Sequence, residues 1–312
     1  MDDAKIVVTG GAGFIGSNLA RELSDNNTVI VIDDLSTGKY NNIIYLKKSK
    51  KFKFLKGTIT DLIFLKKNFK DVDYVFHQAA IPSVPRSIKN PLNTNDTNIN
   101  GTLNVLIASQ ENNVKKLVYA SSSSAYGNTP ILPKKETMIP QPLSPYAVSK
   151  LSGEYYCKAF TEVYGLPTAS LRYFNVYGPR QNPKGEYAAV IPRFITRILR
   201  NENPIIFGDG EQTRDFTYIN DVISANILAA ENKQTGIFNI GSGRNISINL
   251  LAKTIMEICE KRVDLEYKEP VLGDVRDSLA DVSKANKKLG YKPKFDLKKG
   301  LEETIKWFQN QL

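Results

Sequence analysis

Histidine and cysteine are almost missing from this chain of 312 residues: His77 stands alone, and Cys157 and Cys259 are the only thiols. Neither cysteine has partners at metal-ligand spacing, which argues against a zinc site and against a disulfide framework, and no metal is expected. A Ser-His-Asp hydrolase would have to rest on His77. That residue closes the apolar run Tyr74 to Phe76, just before Gln78-Ala79-Ala80, and reads as a packing or hydrogen-bonding residue at a strand end. Long apolar runs are missing too, so nothing reads as a membrane span, and Met1-Asp2-Asp3 does not read as a secretory signal. The expected location is the cytoplasm, with no membrane partner.

Acidic side chains are the minority, 32 against 42 Lys and Arg, for a formal charge of +10. A charge of that size raises the question of nucleic acid. The lysines are scattered, however, with short clusters such as Lys47-Lys48-Ser49-Lys50-Lys51 and Lys287-Lys288 between acidic residues. A solvated basic surface is the better reading: no nucleic-acid partner is expected, while an anionic substrate would be steered by it. Hydrophobic residues at 41% and charged residues at 24% are those of an ordinary soluble globular protein, long enough for one large core or two lobes sharing a cleft.

Lys5 to Thr9 form an apolar, β-branched run that ends in Gly10-Gly11-Ala12-Gly13-Phe14-Ile15-Gly16. This is Gly-x-x-Gly-x-x-Gly between a predicted strand and a predicted helix, the context in which backbone N–H groups and the helix dipole meet a pyrophosphate. Gly10 permits the turn, Gly13 lets the backbone approach the phosphates, and Gly16 lets the helix pack on the strand. A second strand, Thr28 to Ile32, ends in Asp33-Asp34, where an acidic side chain accepts hydrogen bonds from an adenosine ribose and repels a 2′-phosphate. The pattern predicts an NAD site rather than an NADP site.

Runs rich in Val, Ile and Phe alternate with helix-period segments: Ile6 to Thr9, Val29 to Ile32, Phe52 to Leu55, Tyr74 to His77, Leu117 to Ala120 and Thr168 to Tyr173. That alternation predicts right-handed crossovers and an α/β fold with a doubly wound parallel sheet of the Rossmann type, with ligands at the carboxyl ends of the strands. The glycine motif, Asp33, His77-Gln78-Ala79-Ala80 and Ser121 to Ser124 all follow such ends. Beyond about Phe174, turn-rich stretches interleave with helices near Val190 to Arg200, Asn220 to Glu231, Ile248 to Lys261 and Leu297 to Gln309. The expected division is a dinucleotide-binding domain over 1–173, with a return segment near 214–240, and a smaller α/β substrate lobe over 174–312.

Tyr146 and Lys150 are separated by three residues, which puts both on one helix face. An ammonium there can favour the phenolate and make a base that works near neutral pH. The spacing alone fits a solvent-exposed helix better than a catalytic pair. It acquires weight from the serine run and the glycine motif upstream.

Taken in order, Thr-Gly-Gly-Ala-Gly-Phe-Ile-Gly, Asp33, Ser122, Tyr146-x-x-x-Lys150, Arg172-Tyr173-Phe174-Asn175-Val176-Tyr177-Gly178-Pro179 and Gly273-Asp274-Val275-Arg276 resemble the extended short-chain dehydrogenase/reductases that act on nucleotide sugars, from about Lys5 to the C-terminus. Within them the chain looks most like the UDP-hexose 4-epimerases. The resemblance implies that Tyr146 takes the proton from the sugar 4-hydroxyl while C4 gives its hydride to NAD. Lys150 would hold the nicotinamide ribose and, with the positive nicotinamide ring, lower the tyrosine pKa. Ser122 would bridge base and sugar oxygen, with Ser123 and Ser124 as nearby alternatives. Turning over the 4-keto intermediate and returning the hydride would invert C4 without consuming cofactor.

The same resemblance implies cofactor contacts from Phe14, Ile15, Asp34, Ser36, Thr37, Gly38, Thr58, Ile59, Gln78, Ala79, Ala80 and Ser121, with Asn98 supporting the chain near the catalytic strand and Phe174 on the nicotinamide side. Asn175 would bond the substrate diphosphate, and Arg214 and Arg276 would pair with UDP phosphates, where a planar fork suits two oxygens. Ser83, Ala189 and Val190 would complete the substrate side. A homodimer is implied through the helices near Thr102 to Asn112 and Tyr146 to Tyr164. Leu103, Leu106 and Ile107, then Val148, Leu151 and Tyr155, recur at helical spacing, a pattern that fits core as well as interface.

Some positions depart from the family pattern. Gly57-Thr58-Ile59 offers a hydroxyl where the family's Gly-Asp-Ile places a carboxylate on the adenine, and Asp61 is out of register. Pro82 stands where some galactose-type epimerases have a lysine. The segment Pro82-Ser83-Val84-Pro85-Arg86-Ser87, with Gln181, Asn182 and Glu186-Tyr187-Ala188-Ala189-Val190, looks instead like the branch active on N-acetylated UDP-hexosamines. A small Ser278 leaves room for an N-acetyl group, so turnover of UDP-GlcNAc/UDP-GalNAc is expected beside UDP-Glc/UDP-Gal. Nucleotide-sugar dehydratases and UDP-glucuronate decarboxylases carry Asp-Glu or Glu where Ser123-Ser124 stand here, and a noncatalytic NAD-binding sensor would show a broken Tyr/Lys/Ser set.

Overall fold

The computed structural model describes residues 1–183, 188–270 and 275–311. Glu186 and Tyr187 of the expected hexosamine segment, and Gly273-Asp274 of the last motif, lie outside the described residues. Seven parallel strands form the central sheet: β1 (Lys5–Thr9), β2 (Thr28–Asp33), β3 (Phe52–Lys56), β4 (Tyr74–His77), β5 (Lys116–Ser122), β6 (Thr168–Tyr173) and β7 (Gly236–Ile240). Their spatial order is β7-β6-β5-β4-β1-β2-β3. The chain winds outward from β1 to β3, crosses back to β4 and winds outward the other way, so its direction reverses between β1 and β4. Six of these strands are the ones expected from the apolar runs. The seventh pairs with β6 from Gly236↔Ala169 to Ile240↔Tyr173.

Helices α1 (Phe14–Leu23), α2 (Leu62–Asn68), α3 (Gly101–Glu111), α4 (Pro145–Tyr164), α5 (Val190–Leu199), α6 (Ile219–Glu231), α7 (Ile248–Ile258) and α8 (Leu297–Gln309) accompany the sheet. Alternation along each strand sorts its side chains into two layers. Ile6, Val8, Val29, Val31, Val118 and Ala120 join the core that takes in Leu19 of α1 and Val222 of α6. Val7, Ile30, Ile32, Val75 and Leu117 face the other way, with Leu65 of α2, Leu106 of α3 and Phe160 of α4. Helices α5, α7 and α8 extend the first layer through Phe194, Leu251, Ile255, Leu301 and Phe308. No described helix is long and apolar enough to cross a membrane.

Sequence fixes the ends of α4 at both sides. Ser144 is its N-cap, accepting the Ala147 N–H at 3.1 Å, Pro145 occupies the first turn, and Gly165 closes it at φ +70°. The helix thereby presents Tyr146 and Lys150 to the carboxyl end of β5.

Candidate active site

The carboxyl ends of β1 and β4 nearly touch. Gly10 has φ +66°, and a Cβ on it would stand 2.6 Å from the backbone N and Cα of Ala79, so only glycine lets the two ends close. A Cβ on Gly16 would stand 2.3 Å from the Gly10 carbonyl oxygen, which lets α1 begin directly on the turn. Gly13 is the N-cap of α1, and no side chain caps that end. Together with Phe14 and Ile15, these glycines line a cleft of about 630 Å³, so the first-turn N–H groups form a seat for a diphosphate.

Asp33 and Asp34 close β2 on the same cleft. The Asp33 carboxylate accepts the Ala12 N–H at 2.9 Å and the Leu35 N–H at 2.8 Å; burial pushes its pKa up, and those two bonds oppose the shift. Asp33 thus fastens the glycine turn to the next loop and keeps lone pairs for a ribose hydroxyl. Asp34 accepts the Ser36 N–H and hydroxyl at 2.8 and 2.6 Å. Ser36 and Thr37 line the cleft, while Gly38 backs it: its Cβ would lie 2.9 Å from both Asp33 oxygens. Diphosphate seat and ribose carboxylates together fit NAD.

Further along, Thr58, Ile59, Gln78, Ala79 and Ala80 also line the cleft. Thr58 and Thr60 share a hydroxyl bond at 2.9 Å, and Asp61 caps α2 through the Phe64 N–H at 2.9 Å. Gln78 donates to Tyr173 and Asn226 at 3.2 and 3.0 Å, tying β4, β6 and α6 below the cleft. His77 is wholly buried, its ring nitrogens bonded to Thr9 and Thr102 at 2.7 and 2.9 Å, and burial brings its pKa down to about 3. It is the hydrogen-bonded strand-end residue that its sequence context indicated.

Two residues expected at the cofactor stand outside the lining of the cleft. Asn98, within the π-turn Asp96–Asn100, holds both the N–H and C=O of Ile81 (2.8 and 3.2 Å) and the Ser149 hydroxyl at 3.0 Å. It supports the loop after β4, and its side chain does not reach the cleft. Phe174 is wholly buried, packed with Tyr126 and Ala280, so its ring serves the core.

Tyr146, Lys150 and Ser121 share one wall of the cleft. Ser122 accepts from the Ser124 N–H and hydroxyl at 3.2 and 2.9 Å, which leaves its own proton to donate to Tyr146, the one contact that favours the phenolate. Ser123 opens the 3-10 turn Ser123–Tyr126 beside it. Burial pushes the Tyr146 phenol up, whereas it brings the Lys150 ammonium down to about 8. The ammonium donates to the Ala120 carbonyl at 2.8 Å and lies 5.1 Å from the Tyr119 ring centroid.

The expected substrate residues are more dispersed. Ser83 and Ala189 line the cleft, and Ser83 does so at φ +99°, a strained backbone of the kind that clusters at ligand sites. Val190 opens α5, and Asn175, at φ +29°, donates to the Asp215 carbonyl at 3.0 Å. Arg214 lines a second cavity of about 280 Å³ with Phe216, Arg244 and Lys294. Its guanidinium donates to the Arg276 carbonyl at 3.0 Å, while Arg276 forms a bidentate pair with Asp209, both bonds at 3.0 Å, and Ser278 is tied to Thr213 at 3.1 Å. The two arginines are thus neighbours, but neither lines the main cleft. Arg86 and Arg180 do. Their place just after β4 and the short strand Val176–Tyr177 was the available signal, since loops after strand ends carry the ligand groups.

The NAD dependent epimerase/dehydratase family matches residues 6–241, more than half of the chain. The chain belongs to that family. It is 45% identical over 308 residues to a putative UDP-glucose 4-epimerase of Methanocaldococcus jannaschii, covering 98% of each chain. Among solved structures it is similar to a UDP-N-acetylglucosamine 4-epimerase from Methanobrevibacter ruminantium in complex with UDP-N-acetylmuramic acid, with TM-score 0.97, 45% identity and all of both chains covered. A UDP-glucose 4-epimerase from Thermotoga maritima with UDP-glucose gives TM-score 0.94 and 43% identity over 98% of this chain and 99% of that one.

Proposed function

We propose that this chain is an NAD-dependent isomerase that inverts C4 of a UDP-hexose, UDP-Glc/UDP-Gal and also UDP-GlcNAc/UDP-GalNAc, through a transient 4-keto sugar. The observation that carries the reading is the serine-supported Tyr146 beside Lys150 on the wall of a dinucleotide cleft, with hydroxyls rather than carboxylic acids at Ser123 and Ser124. NAD, when bound, supplies a hydride acceptor that returns the hydride. Tyr146 would remove and restore the proton on the sugar O4, Ser122 would bridge that oxygen and the phenol, and Lys150 would present a cation to the cofactor ribose and, with the positive nicotinamide ring, favour the phenolate against the effect of burial. The cofactor residues lie over 1–173 with the return segment near 214–240; the nucleotide sugar falls to 174–312, where Asn175, Arg214 and Arg276 are assigned to the diphosphate. The proposed assembly is a homodimer in the cytoplasm.

Proton NMR of the purified protein with NAD and, separately, UDP-Glc, UDP-GlcNAc and UDP-GlcA tests this. Growth of the galacto anomeric signal with either neutral sugar is the expected result. Loss of carboxylate or water without an epimer would move the assignment to a decarboxylase or a dehydratase, and no change in any tube to a silent NAD binder. Ser278→Tyr is expected to cut UDP-GlcNAc turnover at least about tenfold relative to UDP-Glc, because a ring would fill the space for the N-acetyl group. An unchanged ratio would remove Ser278 as the gate.

A further inference from the structure

Tyr146, Lys150 and Glu154 recur every four residues on α4, and each meets a different one of three consecutive residues at the end of β5. Tyr146 has Ser122, Lys150 has the Ala120 carbonyl, and Glu154 accepts the Ser121 hydroxyl. The acid–base chemistry uses the first two contacts and leaves the third unexplained. Glu154 and Arg172 of β6 are each 1% exposed, joined by Arg172 Nε at 2.8 Å and Nη2 at 2.7 Å to the two carboxylate oxygens. Arg172 then stacks on Tyr126 at 4.5 Å, and the Tyr126 hydroxyl donates to Asn239 at 2.7 Å. Well-packed apolar side chains often replace such a buried pair without loss of stability, so stability alone does not explain its presence beneath the site.

We propose that Glu154, clasped by Arg172, is a positioning residue of the tyrosine–lysine site: it holds the Ala120 to Ser122 strand end in register with α4 and keeps a negative charge beside the Lys150 ammonium. Its purpose rests on the 4-epimerase reading, but its measurement does not. Lys150 is faced by Glu154 and Cys157 from its own helix, by Tyr119 from β5 and by His77 from β4, and Tyr146 lines the same cleft. Burial holds Tyr119, Tyr146 and Cys157 protonated and His77 neutral. Glu154 is therefore the group among them that opposes the effect of burial on the lysine near neutral pH, while Arg172 turns its plane to Tyr126.

Titration of the Lys150 Nζ by NMR, with isotope-labelled lysine and Lys150→Arg for assignment, tests this without substrate. In Glu154→Gln the lysine is expected to lose its proton about one pH unit lower or more. Glu154→Asp keeps the charge and is expected to restore most of that shift. Ser121→Ala is expected to leave the titration in place and, at saturating NAD, to lower kcat about tenfold with KM for the UDP-sugar within about twofold, the cost of a displaced Ser122. If Glu154→Gln fails to fold with Arg172 unpaired, the double change Glu154→Gln with Arg172→Met removes both charges, and a lysine shift in the same direction, smaller because the nearby cation is gone as well, is expected. An unshifted Lys150 in a folded variant, or an unchanged kcat in Ser121→Ala, overturns the proposal. Should the native protein epimerise no UDP-sugar, the function fails instead, and the lysine titration still decides the charge role of Glu154.

Discussion

At the scale of single residues, Tyr146→Phe deletes one oxygen from a buried site whose walls stay in place. Turnover is expected to fall by about 10²–10⁴-fold, with NAD and UDP-sugar affinities by calorimetry within about twofold; near-normal turnover would refute Tyr146 as the base. Tyr146, Lys150, Asp33 and the glycines stand out in the sequence by residue type, order and spacing, and the structure gathers Tyr146, Lys150, Asp33, Gly10, Gly13 and Gly16 on one cleft. That Asp61 caps a helix, Asn98 clasps a loop and Phe174 packs in the core depends on contacts that residue type alone does not carry. His77 carries a pH signature. Its pKa is about 3 when folded against 6.5 as an ordinary imidazole, so the unfolded chain binds the extra proton between those values. The stability this contributes is complete above pH 6.5 and is lost as pH falls toward 3, on the order of 5 kcal/mol across the whole window. In His77→Gln, urea unfolding at pH 7 and pH 4.5 is expected to show a smaller difference than in the native protein. Equal losses in both would contradict a neutral buried imidazole.

At the scale of elements, the sheet was legible because strands buried on both faces read as near-continuous apolar runs, and α4 because Ser144-Pro145 and Gly165 mark its ends. Strand β7 was harder: Gly236-Ile237-Phe238-Asn239-Ile240 opens on glycine and carries a polar Asn239, and its place beside β6 is a tertiary fact. The close seating of α1 on the glycine turn was legible only as a motif, yet it has a measurable consequence. A methyl on Gly16 would begin 2.3 Å from the Gly10 oxygen, so α1 would have to back away by about 1 Å to reach ordinary contact. Because that motion opens the diphosphate seat, Gly16→Ala is expected to weaken NAD binding at least about tenfold by fluorescence titration, with the far-ultraviolet dichroism of the fold retained. Gly165→Ala provides the contrast: φ is +70° there, but nothing lies within 4 Å of the added Cβ. Its cost is backbone strain of about 1–2 kcal/mol with NAD affinity unchanged. If both variants bind NAD like the native chain, close packing at the turn is not what shapes the seat.

At the scale of the whole molecule, an apolar stripe on a helix reports that something covers it, but not whether the cover is the chain's own core or a second copy. Here the stripe divides. Leu106 is wholly buried, and Leu103 and Ile107 pack against the same layer of core, whereas Val148 and Tyr155, seven residues apart on α4, are 46% and 58% exposed. Ile88 and Leu92, on the short helices Val84–Lys89 and Pro91–Asn95, are 64% and 82% exposed. Exposed apolar side chains at helical spacing on α4 suit an isologous contact, in which each copy offers the other the same face. The proposed homodimer is therefore expected to use Val148 and Tyr155 rather than the inner half of the stripe. Light scattering at micromolar concentration is expected to give about twice the 34.9 kDa of one chain. The pair Val148→Glu and Tyr155→Glu should bring that mass down to one chain while NAD affinity holds, since like charges would meet across the two-fold and neither side chain lines the cleft. A native protein that is already monomeric would discard the dimer; a dimer indifferent to both glutamates would mean that the chain pairs through another face and leaves this one to solvent.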